Sequence, residues 1–238
     1  MSRTRGTGVV VSLQREDVPR RGLSATASRD ADLADRSNGH ETGSILALAK
    51  GQVAALSGLP GSGLTRIGLS LLAPHAARGA LAVVDVRGWA SPQAAWELGI
   101  EPEHLIVVRN GDLVTWSRVV ATLLDGAQAV YAEIPNGVKD AVLRKLAGKA
   151  RTRRIPLALR PVAGDLPGGI AHLHLRARAV IWDGAESGHG RLRTRRTIFD
   201  ASGKSTRGME RTIEVEDDGT NDLRVVPHMD ARTTRYLA

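Results

Sequence analysis

Val53-Ala54-Ala55-Leu56-Ser57-Gly58-Leu59-Pro60-Gly61-Ser62-Gly63-Leu64-Thr65 passes from an apolar run into a glycine-rich turn. Ile67, Leu69, Leu71 and Leu72 then begin an apolar helix. Strand, glycine turn and helix N-terminus together make the setting for a phosphate-cradling loop. Glycines let backbone N–H groups converge on one anion, and the helix dipole favours negative charge there. The spacing fits Gly-x-x-x-x-Gly-Lys-[Ser/Thr] at every fixed position but one, because Leu64 stands where the lysine belongs. Leucine brings neither charge nor donor to phosphoryl transfer, so hydrolysis is not expected. Thr65 could still hold a magnesium ion, and the loop amides an anion. A plain strand-to-helix turn is the competing reading.

The 238 residues suggest one domain of ordinary size with appendages. No apolar run approaches the roughly 20 residues that cross a bilayer, and the start Met1-Ser2-Arg3-Thr4-Arg5-Gly6 is not a signal peptide. The absence of cysteine excludes disulfides and thiolate metal sites and fits a cytoplasmic chain, with nucleoid association open. Four Trp, two Tyr and one Phe are too few for a stacking platform that tracks a single strand. A net charge of +8 on 33 Lys and Arg points to a polyanionic or acidic partner, or to a coding bias toward arginine.

Residues 1–43 mix charge and small polar residues without a period and are expected to form a flexible arm, with at most a weak helix near Asp30 to Arg36. The core is expected over 44–220. Strands are predicted at Leu81–Asp85, Leu105–Val108, Gln128–Glu133 and Pro156–Arg160. Helices are predicted at Pro92–Leu98, Leu113–Leu124 and Val138–Ala150, the second with Val114, Val119, Val120, Leu123 and Leu124 inward. That alternation predicts an α/β domain with a mostly parallel sheet covered on both faces. From His172 to Trp182 the period becomes two, with Leu173, Leu175, Ala177, Ala179 and Ile181 on one face. Further strands are predicted at Arg191–Phe199 and Met209–Glu216 around a loop Asp200–Gly208, extending the sheet in antiparallel fashion. Residues 221–238, including Val225 and Val226, are expected to be a loose tail.

The order of these pieces resembles the RecA recombinase core over about Leu46 to Gly219. Val83-Val84-Asp85-Val86-Arg87-Gly88-Trp89-Ala90-Ser91-Pro92 is similar to that family's Asp-Ala-Glu-His-Ala-Leu-Asp-Pro stretch. Trp96 to Val108 is similar to its Leu-Gly-Val-Asp segment, and Leu143-Arg-Lys-Leu-Ala-Gly148 and Gly168-Gly169-Ile-Ala-His-Leu173 to later motifs. The resemblance implies a RecA-like phosphate-loop core in which the catalytic glutamate is replaced by Arg87 and the magnesium-orienting aspartate by Glu133. It also implies that both DNA-contacting loops are cut short, to Ile134-Pro-Asn-Gly137 and to Pro161–Pro167. Gly58, Gly61, Ser62, Gly63, Leu64, Thr65 and Glu133 are then a vestigial nucleotide site, with no cofactor expected and ATP with magnesium doubtful.

A RecA-like chain that has lost recombination resembles the ImuA and ImuA-prime accessory proteins of the actinobacterial mutasome. That implies a non-catalytic role in DNA-damage-induced translesion synthesis and mutagenesis. The implied partners are an ImuB-like Y-family polymerase homologue and an error-prone replicative-type polymerase. The alternative is an ATP-dependent RecA-family recombinase with an atypical loop, and a third reading is a DNA-binding protein with no dedicated partner. Arg191, Arg193, Arg195, Arg196, Lys204, Arg207 and Arg211 are candidates for DNA or an acidic partner, since basic residues outnumber acidic ones seven to two over that stretch. His172 and His174 share a strand face, but Arg176 and Arg178 extend it and would repel a cation, so no metal site is expected. Arg66, Arg87 and Trp89 are expected to pack into the old nucleotide pocket. No catalytic constellation is recognisable.

Overall fold

Four of the five residues of strand β1 (Val53–Ser57) are buried, which a strand achieves only when both faces of its sheet are covered. The computed structural model describes residues 46–77, 79–184, 193–219 and 223–226. The expected arm over 1–43, Arg191 and most of the expected tail lie outside them. Helix α1 (Leu64–Ala76) leaves the glycine turn and leads to β2 (Leu81–Asp85). Then come α2 (Pro92–Trp96), β3 (Leu105–Arg109), α3 (Leu113–Gly126), β4 (Ala129–Ile134), α4 (Asp140–Arg153) and β5 (Leu157–Pro161). The chain continues through β6 (Leu173–Asp183), β7 (Thr194–Gly203), β8 (Arg211–Asp217) and β9 (Arg224–Val226).

Among the described residues the strands form one nine-stranded sheet in the order β3-β2-β4-β5-β1-β6-β7-β8-β9. Strands β3 to β6 in that order are parallel neighbours, and β6 to β9 are antiparallel. The α/β class and the mixed sheet are therefore as the sequence suggested. Helices α1 and α2 cover one face through Leu64, Ile67, Leu71, Leu72 and Ala95 against Leu56, Val83 and Tyr131. Helices α3 and α4 cover the other through Trp116, Val120, Leu124, Leu143 and Leu146 against Val53, Val84 and Val130. The approach of α1 to β4 is close enough to require Gly68, where an added Cβ would lie 2.5 Å from the Tyr131 ring.

Several expectations are corrected. Val114 is 80% exposed, and Trp116 takes the inward place, donating its indole N–H to the Glu133 carbonyl at 2.7 Å. Strand β7 runs on to Gly203 through much of the expected loop, because Asp200 is buried and ion-paired to Arg178. Residues Arg224–Val226 of the expected tail pair with β8. The unbroken alternation of β6 fails at a bulge, where Ala177 faces Phe199 but Ala179 faces Ile198. One extra residue, Arg178, flips the faces beyond it.

Candidate functional site

Parallel strands carry their C-terminal ends to one edge of a sheet, where the crevices of α/β folds form. Ser57, Asp85, Ile134 and Pro161 end there, and the β6–β7 hairpin overhangs them because β6 runs seven residues beyond its pairing of Arg176 with Ser57. The result is a cavity of about 570 Å³, lined by Gly61, Gly63, Arg87, Trp89, Trp182 and Arg195 among others. Of the expected set, Gly61, Gly63, Leu64 and Thr65 line it directly.

The glycine loop is wound tightly. Gly58, Gly61 and Gly63 have φ of 145°, 84° and 73°, and Ser62 donates its hydroxyl to the Leu59 carbonyl. Gly63 begins α1 without a side-chain cap. Leu64 is 1% exposed and belongs to the core beneath α1. The position of the missing lysine is therefore part of the packing.

Asp85 anchors the next loop by accepting N–H bonds from Gly88 at 2.8 Å, Trp89 at 3.1 Å and Ala90 at 3.1 Å. That turn presents Arg87 and Trp89, the guanidinium lying 4.6 Å from the indole centroid. Arg87 also donates two side-chain N–H bonds to Oε1 of Glu133. Oε2 of Glu133 accepts from the backbone of Val86 at 3.1 Å and of Arg87 at 3.2 Å. Burial pushes the Glu133 carboxyl up, but the hydrogen bonds from Arg87 and the charges of Arg87 and Arg160 outweigh it and hold it below the ordinary carboxylate value. Arg160, at the end of β5, donates to Thr65 Oγ1 at 2.7 Å and lies 3.8 Å from Glu133. The buried Tyr131 hydroxyl reaches the same Thr65 oxygen at 3.5 Å.

The far wall is a chain of ion pairs. Arg195 on β7 pairs with Asp217 on β8, Asp217 with Arg66 at 3.2 Å, and Arg66 with Glu97 at 2.6 Å. Arg195 lies against Gly63 so closely that an added Cβ would be 2.6 Å from its guanidinium, and it stands 5.6 Å from the Trp182 ring centroid. Rather than being packed shut by Arg66, Arg87 and Trp89, the space is open.

The expected basic set divides. Arg193 and Arg195 line the cavity. Arg196 faces away, ion-paired to Asp183 at 3.3 Å and Glu214 at 3.2 Å. Lys204, Arg207 and Arg211 sit toward the other end of β7, Lys204 about 30 Å from Arg195 along the strand by its rise per residue and Arg211, opposite Ala201, about 20 Å. His172 accepts from the Val53 amide through Nδ1 at 3.1 Å, and no metal-ligand cluster occurs among the described residues.

Sequence reasoning missed Arg160, Asp217 and Trp182. Arg160 carried a signal, as the single charge in an otherwise apolar strand. Trp182 carried none, because its facing depends on the bulge at Arg178.

These features define an α/β domain with an arginine-rich cavity at the C-terminal edge of its sheet. The chain belongs to the family described as the MT3502 N-terminal domain, whose model matches residues 44–163. The matched stretch holds the glycine loop, Arg87, Glu133 and Arg160 and ends before β6, so Trp182, Arg195 and Asp217 lie beyond it. Among curated proteins none matches the chain. No helix among the described residues is long and apolar enough to cross a membrane.

Proposed function

We propose that the chain is a non-catalytic, RecA-like accessory protein of DNA-damage-induced translesion synthesis, acting by binding a polymerase-like partner. The observation that carries the first half is the state of the three places where phosphoryl-transfer chemistry would be done. Leu64 is core, Thr65 accepts from Arg160, and Glu133 is saturated by Arg87 and two backbone amides. Activation of a water for attack on a phosphate needs a carboxylate free to take a proton. The resemblance puts Arg87 at that position, while Glu133, at the metal-orienting one, has both oxygens occupied by N–H donors. A strand order with β1 interior and β4 two places away agrees with a RecA-like core.

Partner binding draws support from the same edge of the sheet, where Leu59, Trp89, Leu113, Val114 and Trp182 are all exposed large hydrophobics. An ImuB-like Y-family polymerase homologue, with an error-prone replicative-type polymerase behind it, is the partner that the resemblance implies. DNA contact is secondary. Arg196 is held by Asp183 and Glu214, and Arg195 is turned into the cavity and away from a duplex, which leaves the exposed Lys204 and Arg207 as the more available contacts for a nucleic-acid backbone. The test is co-purification of the full chain with an ImuB-type protein, with Leu59→Asp and Val114→Asp as comparators. Retention of the partner by the unmodified chain and its loss in the variants is expected, and no association at all would remove the proposal.

A further inference from the structure

The RecA-like resemblance implies a magnesium ion between Thr65 and the carboxylate that ends β4, but the residues present do not fit one. A hydroxyl has two acceptor positions, and those of Thr65 face Arg160 and Tyr131. A carboxylate has about four, and Glu133 accepts four N–H bonds, two on each oxygen. A divalent cation entering here would displace these donors and meet the guanidinium groups of Arg87 and Arg160, which already sit against Glu133.

The charge that a metal and a loop lysine would bring is nevertheless present in another form. Five arginines line the cavity, at positions 66, 87, 160, 193 and 195, against the lining carboxylates of Glu97, Asp217 and Asp218 and against Glu133 beside Arg87 and Arg160. Arg195 reaches the loop at Gly63 from a strand position 132 residues further along the chain, beside the start of α1 where the lysine is missing. Its buried Nε has no hydrogen-bond partner among the described residues, which is an unusual state for a guanidinium donor. Two indoles, Trp89 and Trp182, stand in the same lining at 66% and 48% exposure, each with an arginine over it. Aromatic faces beside fixed cations suit a base and its phosphates. The volume lies within the range of small-molecule sites.

We propose that this cavity binds a nucleoside phosphate without a divalent cation, with Arg195 supplying the charge at the glycine loop that Leu64 does not. The proposal rests on reading residues 58–65 as a phosphate loop, and it gives the accessory protein a ligand whose presence its partner could sense. Guanidinium groups form charge-assisted bonds with phosphate oxygens and need no hydrolysable geometry to do so.

Calorimetry on the full chain tests it, with ADP, pyrophosphate and adenosine as separate probes, each in EDTA and in excess magnesium. ADP is expected to bind in EDTA, with an affinity that magnesium changes by less than about threefold. Arg195→Ala is expected to weaken ADP about tenfold or more, the loss of a charged hydrogen-bond donor, whereas Arg195→Lys retains most of the affinity. Pyrophosphate is expected to bind more weakly than ADP, and adenosine more weakly still. ADP heat that appears only with magnesium, or is absent in both conditions, overturns the proposal. Equal affinity in Arg195→Ala overturns the role of that residue, and pyrophosphate as tight as ADP overturns the base. The comparison of EDTA with magnesium needs no variant, so a misfolded Arg195→Ala leaves the proposal open to refutation. Absence of binding would leave the accessory reading standing, while ATP turnover would remove that reading and not the site.

Discussion

Glu133 accepts two side-chain N–H bonds from Arg87 on one oxygen and the Arg87 backbone amide on the other, so one residue holds both ends of one carboxylate. Both side chains are largely out of water, at 14% and 4% exposure. An ion pair of this kind is costly to break from one side, because the survivor stays desolvated and unpaired.

Arg87→Ala is therefore expected to destabilise the domain by about 2–4 kcal/mol, somewhat under the full cost for a buried pair because Arg160 stays near. Urea unfolding measures it. The double variant with Glu133→Gln is expected to lose less than the sum of the single losses, since the uncompensated charge is gone. Additive losses would show that the pair is not coupled.

The second expectation concerns acid. Burial first, then the positive charges of Arg151 and Lys204, hold the His172 imidazole below its ordinary value. Its Nδ1 accepts the Val53 amide at the start of β1, which only an unprotonated Nδ1 can do. A group with a depressed folded value binds protons less readily when folded. Its contribution is therefore complete above the ordinary histidine value of about 6.5 and is lost as pH falls from there through the folded value. Thermal melts from pH 7.5 to 5 are expected to show a decline that is shallower in His172→Asn. Equal slopes would remove His172 from the acid response.

Packing at the α1–β4 contact gives a third. In Gly68→Ala the new methyl would meet Tyr131 at 2.5 Å and Leu56 at 2.8 Å. A loss of about 1–3 kcal/mol is expected, the usual cost of overfilling a packed core. Because Tyr131 leads to Thr65, the variant should also weaken any ligand of the cavity. Unchanged stability would mean that the helix can lift freely from the sheet.

Much of the sheet was legible in the sequence, for a physical reason. Strands buried on both faces must be short apolar runs, and Leu81–Asp85 and Leu157–Pro161 have no other use for their composition. The glycine loop was legible because φ near 73° to 145° is a position few other residues accept. The wall of the cavity was not. Arg195 follows Phe199 and Thr197 onto the α1 face by plain alternation along β7, but its meeting with Gly63 depends on strands far apart in the chain. The bulge in β6 that puts Trp182 opposite it leaves no mark in a period-two pattern. Val114 and Trp116 show a related failure. Both are apolar and two apart on a helix, so only one can face the core, and the indole with an N–H to satisfy takes the place beside a free carbonyl.

The central claim is that the domain carries the outline of a phosphate loop without its chemistry, and phosphate release from ATP with magnesium tests it most directly. The full chain, Thr65→Ala and Glu133→Ala should be measured side by side. No turnover above buffer is expected for the unmodified chain, and no difference among the three. Steady ATP hydrolysis by the unmodified chain that falls in both variants would contradict the account, because it would mean that Glu133 leaves Arg87 and Thr65 leaves Arg160 to do the work.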